Sequence, residues 1–396
     1  MKLLFVVSSL DLTQPFSATP AWWQLMKGLY EIGVDVIATP YQGPAIESLW
    51  WRAEPNPAKL QGDAFKLLRD MARRVLPTPD TTNAPADDNT ESGSDVAVRR
   101  VAQTLIAPLW LRHLDRILTK QRDIDAVIFL TVPLNHLSGV PAELIARHGK
   151  PIIYYDGDVP ASLPNMHGFA SGFRIYQGAD PAEYTAFISN SDGGRDALRE
   201  LGAREVHTLY YGADPDVFSP VNVGEQDVDL FFYGHGREYR AEWIDAMLVR
   251  PAVQMQGARF AVRGTKLGVG GDVEQLPYLS FSKLREYANR SKINLCITRR
   301  AHASVVRSSS SRPFELASMG CCIVSNPYEG VETWFEPEKE IFVVHSEDEA
   351  VDRYQWLLAN PAERERVAAA ARARVLAEHT FRHRAAQLVD IVRGYQ

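Results

Sequence analysis

Glu315 stands on a short apolar segment, Pro313-Phe314-Glu315-Leu316-Ala317-Ser318-Met319-Gly320, with Arg312 just before it. The segment reads as a buried helix that ends at a glycine, and a charge at the edge of a buried helix must find a partner. A carboxylate accepts from both hydroxyls of a ribose, and a guanidinium grips phosphate through two parallel hydrogen bonds. The pair points to a nucleotide-like ligand. The plainer reading is that Glu315 only favours the helix dipole. Arg299, Arg300 and Arg307 lie nearby with Ser308 to Ser311. For these three arginines a solvated basic loop and a phosphate clamp are equally good readings. Glu329-Gly330-Val331 forms a second glycine turn after the next strand.

Gly234 and Gly236 follow a strand and lead into a helix, which suits backbone amides facing an anion. Arg240 falls on the first turn of that helix, within reach of a phosphate. The alternative is that Arg237 or Arg240 pairs with Glu238 or Glu242. No later glycine completes a dinucleotide fingerprint, and the glycines from Gly264 to Gly271 lack the P-loop spacing. Asp156-Gly157-Asp158 follows another strand. Either aspartate can serve as a base or orient an acceptor hydroxyl, and a simple turn is as good a reading. Asp158 is the candidate for the acceptor. His136 and His167 carry little weight. Trp22-Trp23 and Trp50-Trp51 are expected to leave at least one ring of each pair exposed or lining a cleft.

The elements that must hold these residues alternate strand and helix. Strands are expected at 2–7, 34–38, 126–131, 151–155, 186–189 and 206–210, then at 227–233, 259–262, 292–297, 322–325 and 341–344. Helices are expected between them and at 347–359, 361–379 and 382–395. A Pro-, Asp- and Thr-rich tract at 77–94 reads as a mobile loop. With 396 residues, two domains are the natural division. They are set at 1–220 and 221–380, with 381–396 as a helix packing back on the first. The fold class is α/β, two doubly wound parallel sheets with ligands between them at the carboxyl ends of the strands. A net charge of −6 argues against a nucleic-acid partner. No apolar run spans a membrane, and the start is a better strand than signal peptide. Three cysteines, two of them adjacent, suit a reducing cytoplasm, and no Cys/His spacing suits zinc. Peripheral membrane contact through the tryptophans is an open alternative.

Several stretches resemble the GT-B glycosyltransferases of the large retaining class called family-4-like, and within it the CgeB-like branch. They are Phe187-Ile188-Ser189-Asn190-Ser191, the run Tyr211-Gly212-Ala213-Asp214-Pro215-Asp216-Val217-Phe218-Ser219-Pro220, the segment 279–295, and Ser311-Arg312-Pro313-Phe314-Glu315 through Gly320. The resemblance implies two Rossmann-like domains facing across a cleft, a nucleoside diphosphate sugar in the second, an acceptor in the first, retention of anomeric configuration and no essential metal. It implies that Glu315 holds the ribose, matching the second glutamate of the family's E-x7-E motif. The first falls at Arg307, a departure at the position that meets the donor sugar. The turn Glu329-Gly330-Val331 matches the one whose amides meet the diphosphate, and Arg240 matches the cation on the leaving phosphate. A nucleotide-sugar epimerase of the same fold and a non-catalytic nucleotide-binding module are the competing readings.

Overall fold

Five consecutive residues of the first strand, Leu3 to Val7, are buried, because helices cover both faces of its sheet. The structure, a computed structural model, describes residues 1–12, 20–63, 93–164, 175–234, 236, 240–277 and 280–396. β1 (Lys2–Ser9) is the third strand of a seven-stranded parallel sheet ordered β3-β2-β1-β4-β5-β6-β7. The others are β2 (Asp35–Gln42), β3 (Arg52–Ala53), β4 (Ala126–Leu130), β5 (Ile152–Asp156), β6 (Ala186–Ser189) and β7 (Val206–Thr208). A second parallel sheet follows in the order β10-β9-β8-β11-β12-β13. Its strands are β8 (Val228–Tyr233), β9 (Phe260–Arg263), β10 (Val273–Leu276), β11 (Ser291–Cys296), β12 (Ile323–Ser325) and β13 (Phe342–Val343).

Counted from its own first strand, each half begins 3-2-1-4-5-6, with a seventh strand at the edge of the first sheet, so strand order reverses between β1 and β4 and again between β8 and β11. Those two reversals are where a doubly wound sheet opens a crevice. Alternation along the strands feeds a core on each face. Leu4 and Val6 join one cluster and Leu3, Phe5 and Val7 another, while Leu230 and Phe232 part from Phe231 and Tyr233 in the same way. This is the GT-B arrangement that the resemblance implies.

The chain crosses between the halves twice, and the crossings touch. Ala213 N donates to His379 O at 3.1 Å and Phe381 N to Ala213 O at 3.0 Å. Gly212 permits this approach, since a Cβ there would stand 2.6 Å from His379 O. Beyond the second crossing, α3 (Phe381–Arg393) returns to the N-terminal half and packs on α1 (Ala21–Glu31). Phe381, Ala385, Leu388 and Val392 share a core with Leu3, Phe5, Leu25 and Leu29. Lys27 of α1 pairs with Glu31, Asp214 and Asp216 at 2.6–2.8 Å, tying the helix to the first crossing. Burial alone would lower its pKa, but the three carboxylates hold it above the ordinary lysine range.

The expected strands are present with edges shifted by a few residues. Two strands escape the sequence reading. β3 has two residues, and β10 is an edge strand whose middle residues, Glu274 and Gln275, are exposed, so neither carries an apolar run. The tract 77–94 lies outside the described residues except for its last two, which begin the helix Gly93–Val101.

Gly28 lies in α1, where Gly→Ala ordinarily adds about 1 kcal/mol of stability. Here a Cβ would sit 2.7 Å from Phe381 O. Gly28→Ala is therefore expected to lose about 1–3 kcal/mol, read as a lowered urea midpoint; a raised midpoint would mean that α3 does not dock this closely.

A candidate active site between the two sheets

At the β8–β11 reversal, two guanidinium groups converge on one carbonyl. Arg240 Nε donates to Ile297 O at 2.9 Å and Arg312 Nη1 to the same oxygen at 3.2 Å. Arg312 opens the helix α2 (Ser311–Ser318) and lies over the rings of Phe232 and Tyr233, with its guanidinium carbon 5.2 and 5.1 Å from their centres. Gly234 leaves room for it, since a Cβ there would come within 3.0 Å of Arg312 Nη2. One turn along α2, Glu315 is 2% exposed, and its Oε2 accepts from Tyr233 Oη at 3.0 Å. Burial pushes the Glu315 carboxyl up to about 7, against the opposing pull of the Tyr233 hydroxyl and Arg312. These residues line a cavity of about 300 Å³ with Arg299, His302 and Ser309 to Ser311. The imidazole of His302 is buried, and desolvation, with Arg299 and Arg240 nearby, holds it neutral. Among the described residues, its Nδ1 and the Nε of Arg312 are buried without a hydrogen-bond partner.

The N-terminal half supplies the facing wall. β5 ends in Asp156, and the two aspartates beyond its core have separate fates. Asp156 is fully buried, accepts from Ser162 Oγ and Tyr176 Oη at 2.6 Å each and from the Asp158 amide at 2.9 Å. Its carboxyl is raised by burial, with the two hydroxyls opposing. Asp156 shapes the turn, and Asp158 reaches the cavity. Arg299 Nη2 donates to Asp158 Oδ1 at 3.1 Å, and His302 Nε2 stands 3.9 Å from the same oxygen.

Other candidate residues stand apart from this cavity. The amides of Gly234 and Gly236 do not face an anion; they donate to Arg263 O at 3.0 Å and Thr265 O at 3.2 Å, closing the turn against the next loop. Arg307, in a left-handed conformation at φ 50°, turns toward the other half and pairs with Asp192 at 3.2 Å. Its amide donates to Glu329 O at 2.9 Å, and Gly330, at φ 89°, packs on its backbone. The Val331 amide reaches Tyr328 O at 3.4 Å. The turn Glu329-Gly330-Val331 thus braces Arg307 and does not line the cavity. Ser308 and Ser309, first grouped with the basic loop, bind the N-terminal half instead. Ser309 N donates to Asn190 O at 3.0 Å, and Ser309 Oγ accepts from the Tyr211 amide at 2.9 Å. Trp22 and Trp51 meet edge to face, as do Trp23 and Trp50, and Trp22 lines a second cavity. His136 bonds with Tyr41 Oη, while His167 and residues 235 and 237–239 lie outside the described residues.

Tyr233 and His302 were not singled out from sequence. Tyr233 is the last residue of β8, a position that by itself faces a crevice. His302 sits on the four-residue helix Arg300–Ala303, which carries no periodic signal.

A carboxyl raised from 4.5 to about 7 keeps its proton in the folded state after the unfolded chain has lost it. Stability therefore falls as pH rises from about 4.5 to 7 and is flat above, by a total on the order of 3 kcal/mol. Relative to wild type, Glu315→Gln is expected to gain stability across that window in urea titrations. Parallel pH profiles for the two proteins would contradict the burial argument.

Residues 237–390 match the family model described as glycosyl transferase-like. No curated protein sequence matches the chain. Among solved structures it is similar to the sucrose-phosphate synthase of Thermosynechococcus elongatus, at 14% identity and TM-score 0.65, with 100% of this chain and 99% of that one covered. It is similar to a glycosyltransferase from Rickettsia africae, at 10% identity and TM-score 0.59 over 99% and 98%. It is also similar to Anabaena HepE, solved in complex with UDP-glucose, at 13% identity and TM-score 0.60 over the whole of both chains. These likenesses give the epimerase and non-catalytic readings no support. The second half thus matches a glycosyl transferase-like family model, and the GT-B fold of solved glycosyltransferases covers the whole chain.

Proposed function

We propose that this chain moves a sugar from a nucleoside diphosphate sugar to an acceptor held by the N-terminal half, with retention of anomeric configuration. The observation that carries the reading is the convergence of Arg240 and Arg312 on Ile297 O with the buried Glu315 beside them. In this reading Glu315 accepts from the ribose hydroxyls and thereby gains donors that favour its charged form. Arg240 and Arg312 face the diphosphate, joined by the backbone amides of Ser311 and Arg312 at the start of α2, whose Ser310 makes no side-chain cap. UDP is the favoured nucleotide, because the similar Anabaena protein was solved with UDP-glucose.

Breaking the bond from the anomeric carbon to the phosphate oxygen puts negative charge on the diphosphate, where the two guanidiniums stand. The acceptor oxygen bonds to the same face of that carbon, and its proton leaves on the departing phosphate oxygen. Asp158, fixed by Arg299 and near His302, orients the acceptor hydroxyl. No metal is assigned a part, since the arginines meet the charge. Arg307 serves the closed arrangement of the halves through Asp192, and the donor sugar is recognised without a glutamate at that position.

Glu315→Ala is expected to weaken UDP binding by about 30- to 100-fold in calorimetry, as the loss of a charged double hydrogen bond implies, with circular dichroism unchanged. Arg240→Ala is expected to lower kcat by about 100- to 1,000-fold. Wild-type turnover in either variant would sink the proposal. Retention is read from the anomeric coupling constant of the product by NMR.

A further inference from the structure

A larger cavity, about 430 Å³, opens at the β1–β4 reversal of the N-terminal half. It meets the smaller one at Ala21, Gly157, Asp158 and Tyr211, which line both. Its walls are mainly apolar and aromatic, with Trp22, Leu25, Tyr155, Ile175 and Phe381 prominent. The hydroxyl groups among them are largely committed elsewhere. Tyr41 Oη bonds with His136 Nδ1 at 2.9 Å, Tyr155 Oη donates to Leu209 O at 3.3 Å, and Tyr211 Oη donates to Gly157 O. Thr131 Oγ1 accepts from the Gly157 amide at 3.1 Å, and Ser162 Oγ donates to Asp156 at 2.6 Å. Ser8 and Gln42 are the remaining polar neutral side chains of the wall. Among the described residues that line it, Asp158 is the one charged side chain.

A sugar acceptor would bring several hydroxyls into this space, and most would find no open partner. A sugar phosphate would meet a carboxylate and no lining cation among the described residues. Both situations are costly in a buried site. A ring system with a single hydroxyl avoids them, and a cavity of this size and composition suits a small organic molecule. We propose that the acceptor is a hydrophobic, mono- or sparsely hydroxylated small molecule of the phenol or alicyclic-alcohol class. Its ring system lies among Trp22, Leu25, Tyr155 and Phe381, and its hydroxyl points to Asp158, where the two cavities join. The fate of that hydroxyl rests on the glycosyl-transfer reading: its oxygen bonds to the anomeric carbon as the carbon–phosphate oxygen bond breaks, and its proton leaves with the diphosphate. The binding preference does not depend on it.

The test uses the full chain without nucleotide, titrated by calorimetry with 1-naphthol, glucose and glucose 6-phosphate. Naphthol is expected to bind at least tenfold more tightly than either sugar, and Trp22→Ala to weaken it at least fivefold. Saturation-transfer NMR on the wild-type protein, which needs no variant, is expected to show transfer to the naphthol ring protons. Tighter binding of a sugar, no binding of naphthol, or naphthol affinity indifferent to Trp22→Ala in a folded variant would overturn the proposal. A parallel titration with UDP separates the two readings. UDP binding without naphthol binding sinks the acceptor class alone, and naphthol binding without UDP binding sinks the donor reading alone.

Discussion

The backbone of Asn190 to Asp192 is hydrogen-bonded to the backbone of Arg307 to Ser309, and this seam sets how the two strand-end surfaces face one another. Ser309 N reaches Asn190 O at 3.0 Å, Gly193 N reaches Val306 O at 3.1 Å, and the Arg307–Asp192 pair flanks them. Arg312 and Glu315 follow within two turns of the seam, so the segment that anchors one half to the other also aims the helix that lines the smaller cavity. Ser308 and Ser309 are fully buried there. Buried hydroxyls must be paired, and their partners, Val159 O and Asn190 O, belong to the opposite half. The second tie is the double crossing at Ala213 and His379, where Arg384 also donates to Tyr211 O at 2.9 Å. Together these contacts hold the two cavities edge to edge.

The electrostatics of the cleft follow from burial. Arg240, Arg299 and Arg312 bring three guanidinium groups to its wall. His302 is neutral in the same cavity because burial and its arginine neighbours disfavour a further cation. Glu315, with a tyrosine hydroxyl and an arginine for company, sits near the midpoint of its titration at neutral pH. The cavity is therefore rich in positive charge and poor in fixed negative charge, which suits a diphosphate. The neighbouring apolar cavity has the opposite character, and Asp158 stands on the border between them.

Much of this was legible in the sequence, and for identifiable reasons. Continuous apolar runs such as Leu3 to Val7 announce the buried strands of a parallel sheet, and their ends locate the cleft. That Glu315 and Arg312 would need polar company was readable, because a charged pair on an apolar helix has few explanations. The uses of Arg307 and of the Glu329-Gly330-Val331 turn were not, since they depend on a contact with Asp192, 115 residues away in sequence. The Gly234 and Gly236 amides illustrate the same limit. A glycine turn shows that two backbones come close, and only the fold shows that the neighbour is Arg263 and Thr265, not an anion. The seam through Ser308 and Ser309 was hidden because a serine run reads as a loop whether it faces water or another domain.

The central claim is that the Ile297 carbonyl end of β11 gathers a nucleotide between Arg240, Arg312 and Glu315. A crystal structure of the full chain with UDP tests it most directly. The account predicts the ribose hydroxyls within hydrogen-bond distance of both Glu315 oxygens and the diphosphate between the two guanidinium groups. UDP lodged elsewhere, or a ribose turned away from Glu315, would contradict it.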